Sequence, residues 1–316
     1  MSSTRKPMSD EAKLKIAESV RRSFEAKRMA AGVITTQPEI LTVVPEPVKM
    51  DTLTFDPKLF EPIKTGKPID TLFSTAGGFP RSTNFMMVGD PGVGKSTVAM
   101  DILSDLQNSG ASVLFISAEM DRIDLYGYVK RYPKFGTIDI LFLGEYLDQN
   151  PKLVVEHMLL RGYDIVLIDS FVEVQDTVKE ANGMTTGATE KWLIDLMRKN
   201  NAGQNESKIN SSFLVIQQVT KGGNFVGSNK LKHSLSGMAE VRFEEDGTRY
   251  INFIKNRRGD VNKKMFFDLS TNGDVKYDNT RYDLDESTRK ILYSEKEILK
   301  NESSSWDVIF GDLKSS

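Results

Sequence analysis

Residues 85–107 read FMMVGDPGVGKSTVAMDILSDLQ, and no other stretch limits the possible folds as tightly. The apolar run FMMV predicts a buried strand, GDPGVGKST at 89–97 fits G-x-x-x-x-G-K-[ST], and TVAMDILSDLQ has helical spacing. A strand that passes through a glycine-rich turn into a helix builds a cradle for phosphate. The glycines let successive backbone N–H groups point at phosphate oxygens, and the helix start adds partial positive charge. Gly89, Asp90, Pro91, Gly92, Val93 and Gly94 form the turn. Lys95 is expected to reach the β- and γ-phosphates, Ser96 to hold Mg²⁺, and Thr97 to add a hydroxyl contact. A glycine-rich turn with an accidental lysine is the competing reading, and it leaves the flanking strand and helix unexplained.

The same alternation continues down the chain. SVLFIS, IDILFL, YDIVLID and SFLVIQQ are short, nearly continuous apolar runs, as parallel strands covered on both faces require. Helical patterns such as ATEKWLIDLMRK lie between them. Alternating runs follow, AEVRFEE, RYINFIK and KMFFDLS, which predict antiparallel strands added at one side of the sheet. The fold class is therefore α/β, with a mostly parallel central sheet flanked by helices and extra antiparallel C-terminal strands. This domain is expected over 64–280, after a basic amphipathic helix over 1–32 and a Pro-rich linker over 33–63. Residues 281–316 form a charged tail. AGQNESKINS at 202–211 reads as a mobile surface loop.

Composition excludes several chemistries. Among 316 residues there is no cysteine, so disulfides, thiolate metal sites and cysteine nucleophiles are absent, and two histidines (His157, His233) leave little for a zinc centre. His233 reads as a packing or capping residue. No apolar run reaches membrane-spanning length and the N-terminus lacks an apolar signal core, which predicts a cytoplasmic protein without membrane contact. A net charge of −2 does not advertise a nucleic-acid binder, although attraction to phosphate depends on local placement of Lys and Arg.

Two acids stand beside the cradle in this reading. Asp169 ends YDIVLID, and a carboxylate at the tip of a buried strand needs a cationic partner, which Mg²⁺ supplies. The alternative is a strand-end Asp that caps the next segment. Glu119, just beyond SVLFIS, is a candidate base for the water that attacks the γ-phosphorus, and spacing alone does not separate it from Asp121 and Asp124.

IKTGKPIDTLFSTAGGFP, GDPGVGKST, VLFISAEM, IVLIDS, VIQQVTK and KNRRG, in that order, resemble the RecA-type ATPase core of bacterial RadA/Sms proteins over residues 63–277. DnaB-type hexameric helicases and KaiC are more distantly similar. The resemblance implies a RecA-like P-loop NTPase that takes ATP with Mg²⁺. It implies Glu119 as catalytic base, Asp169 as the metal-holding acid, and Gln218 as a strand-end sensor between the γ-phosphate and a DNA-binding loop. RadA carries His at that last place, so sensing here would be by hydrogen bonding. Lys255 and Arg257 would reach a neighbouring subunit's nucleotide, against the bland alternative of a solvated hairpin end. In the basic loop, Lys221, Lys230 and Lys232 would contact single-stranded DNA, with Phe225 available to stack; the alternative is lysines that only solvate a flexible loop. KEANGMTTGA at 179–188 would be a second channel loop.

The chain departs from RadA in lacking the four-cysteine finger, in leaving no room after 280 for a Lon-like domain, and in placing Arg258 where the KNRFG motif has Phe. The resemblance implies a ring-forming, hexameric, DNA-stimulated ATPase motor on single-stranded DNA in recombination or repair. A replicative DnaB-like helicase and a KaiC-like assembly ATPase without DNA are the alternatives. The N-terminal helix would grip duplex DNA, dock its Ile16/Val20/Phe24 stripe on a neighbour, or stand solvated. Trp306–Leu313, WDVIFGDL, would lodge in a protein partner or fold back.

Overall fold

The computed structural model describes residues 15, 18, 19, 22, 47–218, 228–269, 273–278 and, between 280 and 295, positions 280, 281, 287, 288, 290, 291, 294 and 295. The N-terminal helix, apart from Lys15, Glu18, Ser19 and Arg22, lies outside the described residues, as does the Trp306–Leu313 peptide. The chain divides into two units, 1–54 and 55–316. The described part of the first makes one 3-10 turn, Met50–Thr52, closed by the Thr52 hydroxyl on the Lys49 carbonyl at 2.7 Å.

The second unit is built on a nine-stranded sheet in the order β3-β2-β4-β5-β1-β6-β7-β8-β9. The strands are β1 (Asn84–Gly89), β2 (Val113–Ser117), β3 (Ile140–Phe142), β4 (Ile165–Asp169), β5 (Ser212–Gln218), β6 (Gly237–Phe243), β7 (Arg249–Asn256), β8 (Lys264–Asp268) and β9 (Lys276–Asp278). Its helices are α1 (Asp70–Phe73), α2 (Lys95–Asn108), α3 (Arg122–Arg131), α4 (Pro151–Leu160), α5 (Phe171–Asn182), α6 (Thr186–Asn201) and α7 (Asn229–Ser234). Strand side chains alternate between two cores. Phe85 and Met87 face α2 and α3, packing with Val98, Ile102 and Leu125. Met86 and Val88 face α4 to α7, packing with Leu159, Val174, Leu193 and Leu231. Burial on both faces explains why the central strands read as unbroken apolar runs. None of the helices among the described residues is long and apolar enough to cross a membrane.

Two expectations change. β6 runs parallel to β1, so the antiparallel part begins one strand later, at β7. The chain between β5 and β6 is long enough for a crossover, whereas β6 and β7 are joined by a tight turn in which Asp246 accepts from the Thr248 N–H and Gly247 has φ +81°. The 202–211 segment is closed rather than loose: Asn205 bonds both the N–H and the carbonyl of Ile209, and Asn201 reaches the Ser211 carbonyl at 2.7 Å.

A buried charge cluster ties distant parts of this unit together. Lys67 and Lys134 both contact Asp101, Asp105 and Asp274, and Asp101 is fully buried. Burial pushes the Asp101 carboxyl up against the pull of both ammonium groups. Removing one ammonium leaves a buried carboxylate short of compensation, at about 3–5 kcal/mol. Lys134→Met is expected to lower the melting temperature by on the order of 10 °C, and adding Asp101→Asn should recover part of the loss. Scanning calorimetry of the three proteins checks this.

Candidate nucleotide-binding site

The glycine turn is shaped by close approaches that exclude side chains. A Cβ on Gly89 would sit 2.2 Å from the Val241 carbonyl oxygen, and Gly94 has φ +104° with a Cβ position 2.4 Å from Leu269 Cδ1. Val93 is buried beneath the turn. Helix α2 begins at Lys95 and its N-cap, Gly94, has no side chain to take the first N–H groups, which a helix leaves unpaired within itself. Lys95 is buried, and its Nζ donates to the Gly89 and Asp90 carbonyls at 2.8 and 2.9 Å. Burial holds its pKa below the usual lysine value, opposed by Asp169, Glu119 and Asp90. Thr97 lines the cleft with little of its surface exposed, beside Tyr128.

Asp169 arrives at the same place from the end of β4. Ser96 Oγ donates to its Oδ2 at 2.6 Å. Burial raises its pKa to about 6, with the Ser96 bond and Lys95 pulling down and Glu119 pushing up. Its Oδ1 is buried with no hydrogen-bond partner among the described residues. An orphaned carboxylate oxygen beside a serine hydroxyl is a donor set of hard oxygens, and it fits Mg²⁺.

Glu119 and Asp124 both line the cleft and Asp121 does not, and the three carboxylates are held differently. Asp121 caps α3, accepting from the Ile123 and Asp124 N–H groups at 2.8 and 2.9 Å, and Asp124 reaches back to the Asp121 N–H. Both carboxylates are occupied in a capping box. Glu119 is exposed at the cleft, and Gln218 Nε2 donates to its Oε1 at 3.3 Å. The pairing joins the tips of β2 and β5.

Lys95, Ser96, Thr97, Glu119, Asp169 and Gln218 all line one cleft of about 760 Å³. Among the residues that sequence reasoning missed are Tyr128, Arg131, Arg249 and Leu269. The Arg131 guanidinium and the Tyr128 neighbour Tyr132 both donate to the Leu269 carbonyl, closing one wall. Only the cationic side chains gave any signal, and they are scattered across two elements.

Lys255 and Arg257 are not brought to this cleft. Lys255 pairs with Met238, at the start of β6, while Gly89 pairs with Val241. They lie at the opposite end of the sheet, roughly 13 Å away along the strands. Lys255 Nζ donates to the Lys232 carbonyl at 2.5 Å and Arg257 to the His233 carbonyl at 3.0 Å, so both cations close the C-terminal end of α7. Burial and the Arg257 charge hold the Lys255 pKa low. KNRRG is no loose hairpin end: Asn256 donates to the Leu72 and Phe73 carbonyls of α1. The His233 side chain is exposed rather than packed in a core, and its carbonyl, at the end of α7, accepts from Arg257.

Lys221 and Phe225 lie outside the described residues. Lys230 is exposed and Lys232 half-buried on α7, whose N-cap Ser228 gives its hydroxyl to Glu190 at 2.5 Å. The expected second loop at 179–188 is mostly helix. α5 continues to Asn182, Gly183 stops it with φ +60°, and Thr185 caps α6 through the Ala188 N–H, leaving only a short turn.

No protein-family profile matches the chain. The DNA repair protein RadA of Campylobacter jejuni is 28% identical over 201 residues, which cover 62% of this chain and 42% of that protein. RadA of Mycobacterium tuberculosis is 27% identical over 215 residues, covering 67% and 42%. The chain thus spans about two fifths of the length of the curated relatives it matches. Among solved structures, a KaiC-like protein of Pyrococcus horikoshii superposes with TM-score 0.51 at 17% identity, covering 69% of this chain and 99% of that one. The flagellar accessory protein FlaH of Methanocaldococcus jannaschii gives TM-score 0.50 at 11% identity, with the same coverages. The chain therefore has the RecA-type ATPase fold, and across that core its sequence resembles RadA.

Proposed function

We propose that this chain hydrolyses ATP with Mg²⁺ as one copy of a ring, expected to be hexameric, that moves along single-stranded DNA in cytoplasmic recombination or repair. The observation that carries this reading is the Gln218–Glu119 contact. It ties the residue facing the attacking water to the last residue of β5, from which the chain enters the basic stretch 219–232. The relatives named as DNA repair proteins supply the biological setting.

Lys95 and the N–H groups of the turn bind the phosphates. Ser96 Oγ and Asp169 would hold Mg²⁺, which when bound neutralises charge on the β- and γ-phosphates. Glu119 orients the water and takes its proton. Gln218 Nε2 gives up Glu119 when it bonds the terminal phosphate, which couples hydrolysis to the end of β5. Arg257, with Lys255, reaches the nucleotide of the adjacent copy, because its position excludes its own.

Steady-state ATP hydrolysis with and without a single-stranded oligonucleotide at low salt tests the reading. Several-fold stimulation is expected, and Gln218→Ala should lower the basal rate and abolish the stimulation altogether. A rate indifferent to the oligonucleotide would count against a DNA motor and for a nucleotide-switched assembly protein.

Asp169 gives a second test. Its raised pKa means that the folded state holds the proton more tightly than the unfolded chain, so stability present at low pH is lost as pH rises through about 6. At neutral pH the buried carboxylate costs at most about 3 kcal/mol. Asp169→Asn should therefore melt several degrees higher than the unaltered chain without nucleotide, yet gain less than the unaltered chain does from Mg²⁺ and ATP. Thermal melts with and without both ligands check the crossover.

A further inference from the structure

Arg249 stands in the cleft wall and has no part in the chemistry above. It opens β7, where it is paired with Phe243 on β6 and Phe267 on β8. Its guanidinium lies over the Phe243 ring, 5.0 Å from the centroid. Its Nε is buried and has no hydrogen-bond partner among the described residues. A buried, charged N–H left unpaired is costly enough to require a reason, and here it borders a ligand cleft.

Position indicates which part of a ligand it meets. Asp169, Glu119 and Gln218 come from β4, β2 and β5, all on one side of β1. Arg249 is two strands away on the other side, roughly 10 Å from β1. With the terminal phosphate beside the acids and the inner phosphates on the turn, the remainder of the molecule extends toward β7, Leu269 and Arg131. The phosphates already have Lys95 and the backbone N–H groups. What arrives at Arg249 is the sugar and base.

We propose that Arg249 binds the nucleoside half of the triphosphate, its guanidinium shifting on the Phe243 ring so that the Nε–H, shut in without a partner here, donates to a ribose or base acceptor. The assignment rests on the reading of the cleft as an ATP site. Calorimetric titration with Mg·ATP and with Mg·tripolyphosphate, which has the phosphates but no nucleoside, separates the contributions. Arg249→Met keeps an apolar stem over Phe243 and deletes the donor. It is expected to bind ATP about tenfold more weakly and tripolyphosphate as well as the unaltered chain does. If Arg249→Met does not fold, Arg249→Lys, which lacks the Nε–H, is read by the same ratio. Equal losses for both ligands, or no loss for either, overturn the assignment. Loss of both ligands in Lys95→Ala with neither lost in Arg249→Met would leave the ATP reading standing and sink this one. Failure of the unaltered chain to bind ATP overturns both.

Discussion

Arg257→Ala is expected to bind ATP as tightly as the unaltered chain and to hydrolyse it about a thousandfold more slowly. The side chain is exposed and holds one carbonyl, that of His233, at 3.0 Å. Releasing one neutral acceptor costs about 1 kcal/mol. A cation that meets the charge on a transferring phosphoryl group gives a thousandfold, about 4 kcal/mol. The second effect is the larger, so Arg257 can leave α7 for a neighbour's nucleotide at little cost. Lys255 differs, because it is half-buried and held by the Lys232 carbonyl. Lys255→Ala should therefore lower stability as well as rate, whereas Arg257→Ala should lower the melting temperature by no more than about 2–4 °C. Pre-steady-state binding and turnover measured on each variant distinguish the two.

The second large effect is loss of nucleotide binding in Lys95→Ala. This ammonium is buried against the turn and already surrounded by the Gly89 and Asp90 carbonyls. No cation stands at its place, since Arg131 is committed to Leu269, Arg249 is two strands from β1, and Lys255 and Arg257 lie at the far end of the sheet. Charge-assisted bonds to phosphate are worth about 1.5–3 kcal/mol each, so ATP affinity should fall at least a hundredfold. Affinity within a few-fold of the unaltered chain would contradict the role given to Lys95.

The parts of this account that were legible in the sequence are local. The phosphate turn could be read because strand, glycines, lysine and helix are contiguous, and each demands its neighbour. The central strands could be read because burial on both faces leaves an unbroken apolar run. The direction of β6 could not, since AEVRFEE alternates like a strand with one open face and its polarity depends on the preceding crossover. Glu119 was indistinguishable from Asp121 and Asp124 by spacing. The Asp121-x-x-Asp124 pair ahead of a helix was nevertheless a readable capping signal that occupies both rivals. Tyr128, Arg131 and Arg249 reach the cleft from α3 and β7 through tertiary packing, and in the same way Lys67, Lys134 and Asp274 meet around the Asp101 and Asp105 carboxylates. Such meetings have no sequence period to reveal them.

The central claim is that a nucleotide held by one copy is completed by Arg257 of the next. The most direct measurement is the ATPase rate of an equal mixture of Arg257→Ala and Glu119→Gln proteins, each nearly inactive alone. An interface that joins the intact Glu119 of one copy to the intact Arg257 of another forms in about a quarter of random pairings in a head-to-tail ring, so the mixture should recover about that share of the unaltered rate. A mixture no faster than its components would contradict a shared site.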